Sequence, residues 1–166
     1  MAITDKLITL FDKYGFELSH NVICDIEFNL MHNKYVNKHF AFIVDSKTGK
    51  VICHDSNVYY KYSFPISQHA EVKTICKYYS NVRSIPRQKK HLIVVKISKT
   101  GCLSNSKCCI NCVRFIRNNY ENLLLKNIYY SIDEETLGCL NRDDLYRKDF
   151  CLSKGYSSRM LTNKKH

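Results

Sequence analysis

The chain has 166 residues, 45% of them hydrophobic, with five Gly and two Pro, a composition that suits one domain with one sizeable core and leaves little room for flexible linkers. Net charge is +11, from 26 basic and 15 acidic residues, a surplus that favours anionic partners such as nucleotides or nucleic acid, although a generally basic surface would give the same count. No apolar run approaches the roughly 20 residues that span a bilayer, and the charged N-terminus MAITDKLITLFDKYGF lacks the apolar core of a secretory signal, so we expect no membrane association and an intracellular, cytoplasmic or nuclear protein whose nine cysteines are mostly thiols.

In chain order, Ile3, Leu7, Leu10 and Phe11 fall at helical spacing, with Thr4 or Asp5 available as a cap. Val22, Ile26, Leu30 and Met31 fit a second helix within 21–35. The pattern then turns to β: Phe40–Val44 and Lys50–His54 flank DSKTG, a hairpin with Gly49 free to take positive φ. The TGK inside it lacks the upstream Gly of a phosphate loop. Ser67 is a candidate N-cap for a helix over Gln68–Tyr79, with Ala70, Ile75 and Tyr78 inward. HLIVVKI, His91–Ile97, reads as a strand buried on both faces. CINCVRFIRNNY is a helix with Ile110, Val113 and Phe115 or Ile116 inward, NIYYSI (127–132) a strand, and DEET a turn into LGCLNR. The tail SKGYSSRMLTNKKH is polar and basic. Helix and strand alternation calls for a mixed, mostly parallel sheet with helical cover. The organisation expected is an N-terminal helical segment (1–35) on a core domain (36–156), with a basic tail (157–166).

Two motifs carry chemistry. His69-Ala70-Glu71 opens one predicted helix, and Cys109-x-x-Cys112 opens the next, about 40 residues later. In a parallel helix–strand–helix unit both helices start at one edge of the sheet, so the motifs can meet. Two thiolates and an imidazole suit Zn²⁺ and balance its charge, and helix starts favour thiolates. Three ligands leave a fourth position for water, whose pKa zinc can lower to around 7. Glu71, two residues from His69, points away from the imidazole on a regular helix and is a proton acceptor rather than a ligand. The pairing Cys108 with Cys112 is the rival to Cys109 with Cys112.

His-x-Glu followed by Cys-x-x-Cys at helix starts resembles the zinc-dependent cytidine and deoxycytidylate deaminase superfamily, over about Phe40 to Ser131. The resemblance implies a three-layer α/β/α cytidine-deaminase-like fold. It implies Zn²⁺ on His69, Cys109 and Cys112, with Glu71 as catalytic acid–base. It also implies hydrolysis of cytosine to uracil with release of ammonia, in a nucleoside, a nucleotide or single-stranded DNA or RNA; adenosine or guanine substrates occur in the superfamily too. Asn57 in HDSN matches an Asn that hydrogen-bonds sugar or base, the Ala70 backbone would help position the base, and Ser131 lies at the strand end nearest the site. Where the family usually has Pro before the first Cys, this chain has Cys108, which puts local rigidity in doubt. Small members often form homo-oligomers. The other reading is a non-catalytic zinc protein that binds nucleic acid, its metal closed by His69, Cys108, Cys109 and Cys112.

His20, His32, His39, His54, His91 and His166 have no ligand-like spacing to the cysteines and read as surface or packed. Cys24, Cys53, Cys76, Cys139 and Cys151 read mostly as small apolar residues. Tyr59, Tyr60 and Tyr62 precede the HAE helix and could stack on a base or support the loop. With the basic stretch Arg83–Lys90 they could line a groove for a single strand.

Overall fold

A computed structural model describes residues 2–32, 37–59, 67–82 and 87–147. The elements are α1 (Ile3–Lys13), α2 (His20–His32), β1 (Lys38–Asp45), β2 (Val51–Ser56), β3 (Val58–Tyr59), β4 (Ser67–Gln68), α3 (Ala70–Asn81), β5 (Lys90–Ile97), β6 (Leu103–Ser104), α4 (Ile110–Asn119), β7 (Leu125–Ser131) and β8 (Leu137–Leu140). A short 3-10 helix, Asp143–Tyr146, follows. Tyr60, Tyr62, Arg83, Cys151, His166 and the basic tail lie outside the described residues, as does the end of the expected 36–156 domain.

The main sheet has the order β2-β1-β5-β7-β8, with β6 pairing the end of β5. It is mixed, and helices cover both faces, but the expectation of a mostly parallel sheet needs correcting: β5–β7 is the one parallel pair among the described strands. The cause is connection length. Hairpins at 46–50 and 132–136 force their strands antiparallel, and α3 carries the chain from β2 across β1 to β5, so β1 lies between two strands of opposite direction. Strands β2, β5 and β7 nonetheless run the same way. Helices α3 and α4, which return between them, therefore both start at the C-terminal edge of those strands.

Strand periodicity builds the three layers. Phe40, Phe42 and Val44 of β1 and Ile93, Val95 and Ile97 of β5 face Leu7, Leu10 and Phe11 of α1 and Val22 and Ile26 of α2. The alternate residues Ala41, Ile43, Leu92 and Val94 face Ala70, Ile75 and Tyr78 of α3 and Cys112, Val113 and Ile116 of α4. Side chains of this size each contribute about 1.5–3 kcal/mol when fully buried. The Phe11 and Phe42 rings meet edge to face at 5.1 Å, a favoured aromatic geometry.

Local corrections have local causes. The cap of α1 is Ala2, whose N–H donates to Asp5 Oδ2 at 3.0 Å; Thr4 is inside the helix and its hydroxyl donates to Glu27. In α2, Met31 is exposed, as is Phe28. Ser67 does not cap α3, because it pairs with Tyr59 in the small β3–β4 ribbon. Gly49 has φ +74°, and a Cβ there would lie 2.2 Å from the Gly15 carbonyl oxygen, so the hairpin turn requires glycine at this point.

Candidate active site

The site is made of the first turns of α3 and α4. His69 and Cys109 occupy the N-cap positions, both with extended backbone (φ −71°, ψ 147° and φ −74°, ψ 164°), and neither side chain caps its own helix. Their side chains are therefore available to each other. Cys112 is the third residue of α4. A cap residue and the third helical residue stand close enough to hydrogen-bond in ordinary capping boxes, so Cys-x-x-Cys at a helix start brings two sulfurs together on one short arc of chain. His69 Nδ1 lies 3.1 Å from Cys112 Sγ and 3.5 Å from Cys109 Sγ. All three ligand atoms lie within 4.8 Å of one another.

Those separations fit a zinc ion. Bonds of about 2.3 Å to sulfur and about 2.0–2.1 Å to nitrogen place N and S about 3.5 Å apart around a tetrahedral centre. Without metal the donors share protons. Hydrogen bonding from the Cys112 thiol, then from His69, brings Cys109 down to about 4, against the opposing effect of burial. Cys112 is pushed up because it donates to Cys109 and because it is buried. The hydrogen bond with Cys109 raises His69. Cys109 is thus the sulfur of the pair that gives up its proton more readily.

Cys108 is not in this group. It is buried, and burial, then the neighbouring Glu71 carboxyl, push its thiol well up. Glu71, the second residue of α3, is 5% exposed. Burial raises its pKa, and its own backbone N–H, then the His69 charge, pull the other way. The molecule therefore sets a buried carboxyl with an elevated pKa beside a His–Cys–Cys centre.

The other residues singled out in the sequence are placed as follows. Ala70 is fully buried. Asn57 is buried at the end of β2, where its Oδ1 accepts the His39 N–H at 2.9 Å and its own N–H donates to the His39 carbonyl at 3.0 Å. Ser131 has 0% exposure. Its hydroxyl donates to the Ser104 carbonyl at 2.6 Å and accepts the Lys96 N–H. The Ser131 N–H donates to Ser106 Oγ, which donates to the Val94 carbonyl. These bonds tie the end of β7 to the segment that delivers Cys108 and Cys109. Sequence reasoning missed this anchoring role of Ser104, Ser106 and Ser131, although Ser104 and Ser106 stand just before the cysteines in the chain. It also missed His39, whose side chain shares the α3–α4 face of the sheet with Ala41 and whose pKa is lowered to about 4 by burial, then Lys96 and His69, with Cys109 opposing. Its position at the start of β1, remote in sequence from every cysteine, gave no signal.

No protein-family model matches the chain, and no curated protein does. Among solved structures the chain is similar to a cytidine deaminase from Burkholderia pseudomallei, at 16% identity over 80% of this chain and 100% of that one, TM-score 0.49. It is also similar to a dCMP deaminase from the cyanophage S-TIM5. In its apo form that protein gives 21% identity over 57% of this chain and 65% of the other, TM-score 0.38. In complex with dCMP and dUMP it gives 18% identity over 69% and 83%, TM-score 0.38. The chain thus spans just under two thirds of the apo relative's length. Likenesses at this level concern the fold and no residue's role.

Proposed function

We propose that the chain is a zinc-dependent hydrolytic deaminase that converts cytosine to uracil in a nucleoside, a nucleotide or single-stranded nucleic acid. The observation that carries this reading is the convergence of His69, Cys109 and Cys112 beside the buried Glu71 carboxyl. Zn²⁺ held by His69 Nδ1 and the two sulfurs would supply Lewis acidity and lower the pKa of water. The chain's own residues do the rest. Glu71 takes a proton from the attacking water as the oxygen bonds to the amino-bearing ring carbon, and gives it to the adjacent ring nitrogen. It then takes the second proton of that oxygen and delivers it to the amino nitrogen, and ammonia leaves as the carbonyl forms. A carboxyl held above its ordinary pKa is suited to both halves of this shuttle. Asn57 and the Ala70 backbone are our assignments for sugar and base contacts.

The closed structural-zinc reading needs Cys108 as a fourth ligand. Cys108 lies outside the group of donor atoms that stand within 4.8 Å of one another, which favours a centre with an open position. The test is ammonia release from cytidine, deoxycytidine, dCMP, single-stranded DNA and single-stranded RNA by zinc-loaded protein. Release from at least one cytosine substrate, with uracil as product, is expected. No release from any of them, by protein carrying one zinc per chain, would contradict the proposal.

A further inference from the structure

One side of this site carries cationic and neutral donors that the chemistry above does not use. His39 and Lys96 are direct cross-strand partners on β1 and β5. Alternation puts both on the α3–α4 face: His39 follows the phase of Ala41 and Ile43, and Lys96 that of Leu92 and Val94. Both sit at the C-terminal edge of β5, where the two helices begin. The backbones are fixed, since Asn57 clamps the N–H and carbonyl of His39 and the Lys96 N–H donates to Ser131 Oγ. The His39 ring lies within electrostatic range of Lys96, His69 and Cys109.

Lys96 differs from the ion-paired lysines of the fold. Lys6 pairs with Glu134, Lys50 with Glu17, and Lys73 with Asp55. Among the described residues no carboxylate pairs with Lys96, and the His39 ring has no hydrogen-bond partner. An ammonium left unpaired and half-buried beside a metal centre is an unfilled demand for an anion.

We propose that Lys96 and His39 form an anion subsite beside the His69–Cys109–Cys112 centre, and that the substrate carries a phosphate there, so that phosphate-bearing cytosine compounds are selected over neutral nucleosides. This rests on the deaminase reading. Lys96 supplies the charge and His39, its backbone held by Asn57, supplies a hydrogen bond. The phosphate could be the terminal group of a mononucleotide or a phosphodiester of a single strand.

Binding of three probes, deoxycytidine, dCMP and a ten-residue oligodeoxycytidine, to zinc-loaded Glu71→Gln protein by calorimetry tests the subsite without turnover. The expected result is at least tenfold tighter binding of a phosphate-bearing probe than of deoxycytidine. Lys96→Met should reduce that ratio at least tenfold and Lys96→Arg should largely restore it, with zinc content and thermal midpoint as checks on folding. Preference for dCMP assigns the anion to a terminal phosphate, and preference for the oligonucleotide assigns it to a phosphodiester. Equal binding of deoxycytidine and both phosphate-bearing probes would overturn the proposal, as would a Lys96→Met variant that weakens all three by one factor. If the wild-type protein deaminates none of them yet prefers phosphate, the deaminase reading falls and the subsite stands; deamination without that preference gives the reverse.

Discussion

At the residue scale, the neighbouring cysteines divide two tasks. Cys109 turns to His69 and Cys112, whereas Cys108 turns to Glu71. Cys109→Ala should therefore lose stoichiometric zinc, while Cys108→Ala should keep it, as elemental analysis would show. Burial raises the Glu71 pKa, and the neighbouring Cys108 thiol lowers it. Its removal should move the acid limb of the pH–rate profile to higher pH, and an unmoved limb would refute the contact's role. Glu71 also links pH to stability. Its folded pKa is raised above the unfolded value, so its contribution is full below the unfolded value and is lost as pH rises through the folded one. Glu71→Gln should leave the metal-free protein unchanged near pH 4 and raise its thermal midpoint at pH 8, by about 2–4 °C for each kcal/mol recovered. The grouping of His69, Cys109 and Cys112 was open to inspection in the sequence because their spacing at two helix starts brings them together. The choice between Cys108 and Cys109 is set by the direction each side chain takes at the cap of α4, which spacing alone leaves ambiguous.

At the element scale, both halves of the centre depend on helix starts, and each start is held by its approach segment. The serine network from β7 through Ser106 to β5 holds the approach to α4. Ser131→Ala should cost about 1–3 kcal/mol, because buried partners are left unsatisfied, with one zinc per chain retained in the folded protein; denaturant unfolding and metal analysis would check both. The long elements could be read from periodicity: the apolar stripe of α1, the doubly buried run of β5, and the DSKTG turn with Gly49 at positive φ. Pairs such as β3–β4 and β6 could not, since two residues per strand carry no period, and it is the β3–β4 pairing that draws Ser67 away from the cap of α3.

At the scale of the whole molecule, the sheet keeps three same-direction strands, β2, β5 and β7, at the positions that launch or receive α3 and α4, while the antiparallel strands fill in between and at the edge. Helix and strand alternation disclosed the layers but overstated the parallel pairing, because the order of strands within a sheet is a long-range property that local pattern does not encode. The surplus of +11 acquires a local meaning if Lys96 is part of it. A bound metal stabilises the folded state by mass action, so chelation should lower the thermal midpoint and zinc should restore it. The account's central claim is that the His–Cys–Cys centre is catalytic and that Glu71 moves the protons. Ammonia release by Glu71→Gln, compared with wild type at equal zinc content on the same cytosine substrate, tests it most directly. The account predicts one zinc per chain in both proteins and a loss of at least 10³-fold in turnover. Turnover by the variant within tenfold of wild type would contradict it.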